Sequence, residues 1–179
     1  MYLDPQEREA LLGIVRRTLE DYLKDRNVTA VGHASGKLAA PGAAFVTLKK
    51  AGRLRGCIGY TDAVAPLYKV VQECAVAAAT EDPRFPPVTA GELPSLDVEI
   101  SVLTPMVPIR PEEVEVGRHG LMVSQGGRRG LLLPQVPLEL GWDRDTFLDQ
   151  TCVKAGLPPG AWRRGATLQA FTAEWFGEA

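Results

Sequence analysis

The stretch Leu-Arg-Gly-Cys-Ile-Gly at residues 54–59 restricts the fold more than any other part of the sequence. It follows a strand pattern at residues 43–50 and a short turn, so it predicts the second strand of a β-hairpin. Glycine within a strand costs stability and usually marks a bulge or the close approach of another group. Gly56 and Gly59 therefore predict backbone that bends or stays open beside Cys57. Either the strand is bulged and Cys57 packs as a small hydrophobe, or its thiol is reactive.

Helix and strand patterns alternate along the rest of the chain without a regular β-α-β rhythm. Asp4, Pro5 and Glu7 have the spacing of a capped helix start. The predicted helices are 5–24, one opened by Pro66, and one from Asp143 to Ala155, and the predicted strands are 43–50, 54–59, 96–103, 114–116, 119–124, 128–133 and 167–176. This mixture predicts an α+β fold in which an antiparallel sheet is flanked by helices. The prolines between residues 105 and 111 predict a boundary between two lobes.

Composition excludes several classes of protein. The chain has 179 residues and a formal net charge of −2, which argues against a general nucleic-acid binder. It has no apolar run of 18 residues and no signal-peptide pattern, so we expect no membrane span and a cytoplasmic location. The three cysteines are widely spaced, which favours a reducing compartment. No cofactor class is indicated.

The sequence also gives little support for a metal site. His33 and His119 are the only histidines, and no spacing pairs either of them with cysteines as zinc ligands. Cys74 and Cys152 fall on the apolar faces of predicted helices, so we expect both in the core. His33 lies in a predicted loop, where we expect it to be exposed and without a role.

A second unusual stretch is Glu-Asp-Pro-Arg-Phe-Pro-Pro at residues 81–87. Three prolines in five residues exclude a helix and predict a stiff, extended loop. A stiff loop holds Asp82, Arg84 and Phe85 in a binding geometry at little entropic cost. Alternatively, it is a rigid connector in which Arg84 packs on Phe85 or pairs with Asp82.

These stretches together resemble the AMMECR domain family, known in prokaryotes as AmmeMemoRadiSam system protein A. The Leu-Arg-Gly-Cys-Ile-Gly stretch is similar to the family signature, and further blocks follow in the family's order. Those blocks are residues 82–87, 99–105, 119–121, 129–136 and 151–157. The resemblance covers about residues 8–176, and it leaves out Tyr60 and the loop at 26–42.

The resemblance implies a single α+β domain over residues 1–179, with a larger lobe, a smaller lobe and the signature hexapeptide near a cleft between them. It brings no settled biochemical activity. The system name implies an association with a Memo-like protein and a radical SAM protein.

The first functional hypothesis is a cytosolic enzyme that acts on a small anionic substrate around Cys57. Arg55 or Arg84 would stabilise the thiolate, because a positive charge lowers the pKa of a thiol. Backbone N–H groups beside Gly56 and Gly59 would receive an oxyanion. His119, at the start of a predicted strand, is the candidate base.

The alternative is a module that binds without chemistry. In that case Arg55, Arg84 and the stiff loop form a site for a phosphorylated or carboxylated ligand, and Cys57 only packs. A related possibility is an adaptor that docks its partners through the hairpin at 119–133. The predicted site thus has Cys57 and His119 as catalytic residues and Arg55, Gly56, Gly59, Asp82 and Arg84 as ligand-binding residues, without a metal.

Overall fold

A computed structural model describes residues 2–32 and 34–178, so His33 lies outside the described residues. The helices are α1 (Pro5–Asp25), α2 (Gly36–Ala39), α3 (Leu67–Thr80), α4 (Val136–Leu140) and α5 (Arg144–Lys154). The strands are β1 (Pro41–Lys50), β2 (Arg53–Pro66), β3 (Leu96–Leu103), β4 (Val107–Pro108), β5 (Gly120–Gln125), β6 (Arg128–Leu132), β7 (Thr167–Phe171) and β8 (Ala173–Gly177). Short 3₁₀ helices lie at Ala90–Ser95, Pro111–Glu113 and Ala161–Arg163. Helices and antiparallel sheets are mixed, which confirms the predicted α+β class.

The chain divides into two compact units. The larger consists of Met1–Leu103 with Glu174–Ala179, and the smaller of Thr104–Ala173. The first boundary lies next to the proline-rich stretch at 105–111, and the second lies after Ala173, the first residue of β8.

The larger unit has a four-stranded sheet in the order β2-β1-β3-β8. β1 pairs antiparallel with β2 on one side and with β3 on the other. The sheet residues that alternate toward α1 and α3 form the apolar core with those helices; they include Ala44, Val46, Leu48, Val98, Ile100 and Val102. α1 begins with the predicted capping box between Asp4 and Glu7. The strand periodicity therefore divides this sheet into a core face and an opposite, more polar face.

The smaller unit has its own four-stranded sheet in the order β4-β7-β5-β6. The predicted hairpin is present as β5 and β6, and its turn consists of Gly126 and Gly127 at φ of 57° and 78°. Both residues of such a turn need positive φ, which explains the two glycines. A separate apolar core includes Leu121, Val123, Phe147, Leu148 and Cys152. Cys152 and Cys74 are both buried, as predicted.

The structure corrects three local predictions. Residues 114–116 are not a strand: a 3₁₀ helix ends at Glu113 and a turn follows, while a short strand lies at Val107–Pro108 instead. The single final strand predicted at 167–176 is two strands that belong to different sheets. Thr172 separates them, because its backbone N–H and C=O bond to Thr104. The short helix α4, which begins one residue after Gln135, is not among the predicted helices.

Among residues 2–32 and 34–178, no helix is long and apolar enough to cross a membrane.

Candidate functional site around Cys57

The hexapeptide at 54–59 lies on β2, at the edge of the larger unit's sheet. Leu48 of β1 is opposite Gly56, but the next residue, Lys49, is opposite Leu54. Arg55 is therefore an extra residue, and β2 has the bulge that the sequence predicted.

Packing explains why the two neighbours of the Cys57-Ile58 pair are glycines. A Cβ on Gly56 would overlap the backbone carbonyl oxygen of Ala78 in α3, so the helix lies directly on this strand. A Cβ on Gly59 would overlap the ring of Phe45, which lies over Gly59 on the opposite sheet face. Both glycines are close-approach positions, one on each face of the sheet.

Cys57 is a free, half-buried cysteine on the polar face of the sheet. It is opposite Thr47 of β1, whose hydroxyl donates a hydrogen bond of 3.2 Å to the Cys57 sulfur. The backbone N–H of Cys57 donates to the Asp82 carboxylate at 2.9 Å. The thiol thus has a hydroxyl donor beside it, while the nearest backbone donor is occupied by Asp82.

Asp82 is the most heavily hydrogen-bonded side chain of the site. Its side chain is 3% exposed and pairs with the Arg84 guanidinium at 2.7 Å. It also accepts from the Arg84 Nε at 3.0 Å, from the Arg84 backbone N–H at 3.1 Å and from Cys57. These bonds, above all the one from the Arg84 side chain, hold the pKa of Asp82 well below its usual range.

Arg84 extends from the buried Asp82 into solvent, with 56% of its side chain exposed. The hydrogen bond to Asp82 raises the pKa of Arg84, and Coulomb attraction to Asp82 and to Cys57 adds to this effect. The guanidinium is also 5.6 Å from the Phe85 ring centroid. Both contacts of the rigid-connector interpretation are therefore present. Asp82 uses Nε and Nη2, whereas Nη1 has no hydrogen-bond partner among the described residues.

Arg55 has its guanidinium bonded within the protein. Its Nε and Nη2 each bond to the Glu92 carboxylate at 3.1 Å, and Nη1 donates to the Pro86 carbonyl at 2.9 Å. Glu92 also accepts from Lys50, and these contacts, led by Arg55, lower the pKa of Glu92 to about 2. Arg55 thus fastens the proline loop to β2. Nothing in the spacing of Arg55 and Glu92 along the sequence indicates this contact.

Glu99 and Trp175 share the polar sheet face with Cys57 and Thr47. We call these four residues the thiol face. Glu99 of β3 is opposite Thr47. Its carboxylate pairs with Lys49 at 2.6 Å and accepts from the Trp175 indole at 3.2 Å. Sequence reasoning missed Thr47, although the alternation along β1 places it on the face opposite to the core.

His119 lies in the smaller unit, one residue before β5. Its Nδ1 accepts a hydrogen bond of 3.0 Å from the Glu115 backbone N–H. Burial, followed by the charge of Arg118, holds the pKa of His119 below its usual value. The neutral ring therefore has its proton on Nε2, which makes Nε2 a donor in this arrangement. Action as a base requires that the bond to Glu115 be given up.

The described residues contain no group of three or more His, Cys, Asp or Glu side chains placed to hold a metal ion.

Comparison with known proteins defines the class of protein to which this site belongs. The family model described as AMMECR1 matches residues 12–176, so the chain belongs to the AMMECR1 family. A protein of Methanothermobacter thermautotrophicus is 44% identical, over 98% of this chain and 96% of its own. Protein MK0488 of Methanopyrus kandleri is 41% identical, over 97% and 89%. The crystal structure of uncharacterized protein PH0010 from Pyrococcus horikoshii is similar with a TM-score of 0.79 and 42% identity, covering 95% of this chain and 90% of that one.

Proposed function

We propose that this protein is a cysteine-dependent enzyme that acts on a small anionic substrate at the thiol face of the larger unit. Cys57 is the nucleophile in this proposal. The observation that supports it is the hydrogen bond of 3.2 Å from the Thr47 hydroxyl to the Cys57 sulfur. A hydroxyl donor stabilises a thiolate, and the thiolate is the nucleophilic form.

Arg84 has two parts in the proposal. Its guanidinium has a favourable Coulomb interaction with Cys57, which contributes to the raised pKa of Arg84. Its Nη1 faces no acceptor among the described residues and is available to an anionic group of the substrate. Asp82 positions Arg84 through two side-chain bonds and is a positioning residue. Gly59 and Gly56 allow the close packing that sets the strand, and His119 is proposed as the base that the sequence predicted.

A non-catalytic binding site for an anion is the alternative, and one observation favours it. The Cys57 N–H, the nearest backbone donor to a developing oxyanion, is already bonded to Asp82. Arg55, which was also predicted to bind the ligand, is bonded to Glu92 and Pro86. An anion would then be held by Arg84 alone, without any chemistry at sulfur.

Alkylation by iodoacetamide distinguishes the two functions. Cys74 and Cys152 are both fully buried, and burial raises the pKa of Cys74 to about 12 and raises that of Cys152, so native protein should be labelled at Cys57 alone. For an enzyme we expect the labelling rate to have a pH midpoint below the free-cysteine value of about 8.5. We expect Thr47→Val and Arg84→Gln each to slow labelling at pH 7 by roughly twofold to tenfold, through loss of a thiolate partner.

Ser101→Ala, on the same sheet face, is the matched control and should leave the rate unchanged. A midpoint at or above the free-cysteine value contradicts the nucleophile and favours the binding module. If His119 is the base, His119→Asn raises the midpoint; an unchanged profile removes His119 from the mechanism.

We further propose that residues 1–179 act as one two-lobed domain in the cytoplasm, in association with a Memo-like and a radical SAM protein. Co-purification of the three proteins tests the association. Because Met122 is buried, the test uses Leu131→Ala, a half-buried residue of β6. This variant should weaken the association if the hairpin at 119–133 is the docking element, and retention of only one partner contradicts a three-protein system.

A further inference from the structure

The larger unit has a pocket that does not include Cys57. It is a pocket of about 390 Å³ at the edge formed by β2 and α3. Its apolar walls are the side chains of Val28, Tyr60, Val76 and Ala77, and Tyr60 and Val28 are 42% and 41% exposed. Such exposure of apolar surface in a concave site is typical of surfaces that bind a partner.

Two carboxylates flank the apolar walls. Glu73 and Glu81 of the α3 region line the pocket, and the charges of both contribute to the raised pKa of Tyr60, behind burial and Cys74. Neither carboxylate has a hydrogen bond or ion pair with any other described residue. Lys69, one turn before Glu73, is the only cation among the described lining residues, so the site carries a net charge of −1.

The edge of β2 beside the pocket has unused backbone groups. Cys57 directs its N–H away from β1, toward Asp82. Orientation alternates along an antiparallel strand, so Gly59, opposite Phe45, also directs its N–H and C=O away from β1. Over residues 2–32 and 34–178, no backbone group bonds to this side of Gly59. Asp82 occupies the edge at Cys57. Beyond Tyr60 the register with β1 is irregular, because residues 61–64 of β2 stand against Ala43 alone.

We propose that this edge binds an extended peptide segment of a partner protein, with a lysine or arginine side chain of that segment in the pocket. The peptide adds a short strand to β2 at Gly59, where main-chain hydrogen bonds give affinity and a side-chain pocket gives specificity. The aliphatic stem of the basic side chain lies on Tyr60, Val76 and Ala77. Its cationic end reaches Glu73 and Glu81 at the solvent side, as long basic side chains do on apolar surfaces.

The charge pattern selects this occupant. Two unpaired carboxylates against one lysine repel an acidic side chain and attract a basic one. An uncharged aliphatic side chain fills the walls but leaves both carboxylates unpaired. A small cation would pair with the carboxylates but has no peptide backbone to bond to the N–H and C=O of Gly59.

NMR titration of the ¹⁵N-labelled full chain tests the proposal with the peptide acetyl-Val-Thr-Lys-Thr-Val-amide. We expect shifts at Gly59, Tyr60 and α3. Norleucine in place of lysine should weaken binding by roughly twofold to tenfold, and glutamate more, because partly exposed ion pairs contribute little each. Glu73→Gln and Glu81→Gln should each weaken the lysine peptide by roughly twofold to fivefold, whereas Glu9→Gln, an exposed glutamate on α1, should not.

Two N-methylated peptides test the strand edge. One is methylated at both threonines and the other at the lysine and the last valine. Only one side of an added strand donates to β2, so one peptide should lose affinity and the other keep it. The proposal is overturned if the two N-methylated peptides bind equally well. It is also overturned if the norleucine peptide or N-acetyl-lysine methylamide binds as tightly as the lysine peptide. Labelling of Cys57 is independent of this pocket, so failure here leaves the proposed enzyme site standing.

Discussion

At the scale of single residues, Gly56 determines how closely α3 approaches the sheet. Its missing side chain leaves room for the Ala78 carbonyl, which is backbone and cannot rotate away. Gly56→Ala should therefore lower the free energy of unfolding by about 1–3 kcal/mol, as overpacking of a core does. Urea unfolding followed by circular dichroism measures this. Gly91→Ala is the matched control, because a Cβ there meets nothing within 4 Å, and its effect should stay within about 0.5 kcal/mol. Equal effects of the two substitutions would show that α3 can move aside.

Asp82 makes stability depend on acid pH. Its pKa is lowered in the folded protein, first by the hydrogen bond from Arg84, so folding gains stability from its ionised form. That stability is fully present above the unfolded pKa of about 3.9 and is lost as the pH falls through that value toward the folded pKa. Asp82→Asn should cost about 2–4 kcal/mol at pH 7 and roughly 1 kcal/mol less at pH 3, because pH 3 is about one unit below the unfolded pKa.

Urea unfolding of both proteins at the two pH values tests this, and Asp97→Asn, at an exposed position of the same sheet, is the control. Protonation of Glu92 also lowers the free energy of unfolding in acid, because its pKa is lowered in the folded protein. The quantity to compare at the two pH values is therefore the difference in unfolding free energy between wild type and Asp82→Asn. A difference that does not depend on pH would mean that Asp82 titrates normally.

At the scale of elements, local patterns predicted what depends on short-range chemistry. The capping box at Asp4 and the glycine turn at 126–127 are satisfied by residues within three positions, so they can be read from the sequence. The bond between Arg55 and Glu92 joins residues 37 positions apart. No periodicity encodes such a contact. The sequence located the cysteine and the loop arginine of the candidate site, but it could not tell which arginine was already bonded.

The Arg55–Glu92 pair should couple β2 to the proline loop. Both side chains are largely buried, at 13% and 19% exposure, and the contact is bidentate. A double-mutant cycle with Arg55→Gln and Glu92→Gln should give a coupling free energy of about 1–3 kcal/mol. The exposed pair of Arg118 and Glu115 is the control and should give less than about 0.5 kcal/mol. Hydrogen exchange of residues 84–92 should rise in Arg55→Gln; unchanged exchange would show that the prolines alone hold the loop.

At the scale of the whole molecule, the chain enters the smaller unit at Thr104 and returns to the larger one at Glu174. The sequence predicts a boundary at the first passage, because prolines mark it. It missed the second, since the alternation of residues 167–176 continues through Thr172 without a break. The strand pairing in the structure shows that two sheets share this segment, and the bonds between Thr172 and Thr104 separate them.

The returning segment should therefore stabilise the larger unit and leave the smaller one unaffected. Phe176 of β8 is 7% exposed and packs in the core of the larger unit, and its neighbour Trp175 is 61% exposed. Phe176→Ala should destabilise the larger unit by about 3–5 kcal/mol, and Trp175→Ala by less than about 1 kcal/mol. Hydrogen exchange with mass spectrometry separates the units: in Phe176→Ala, protection should fall in β1 and α3 while β5 and α5 keep theirs. A parallel loss of protection in both units would show that they unfold together, and that the boundary at Glu174 has no energetic meaning.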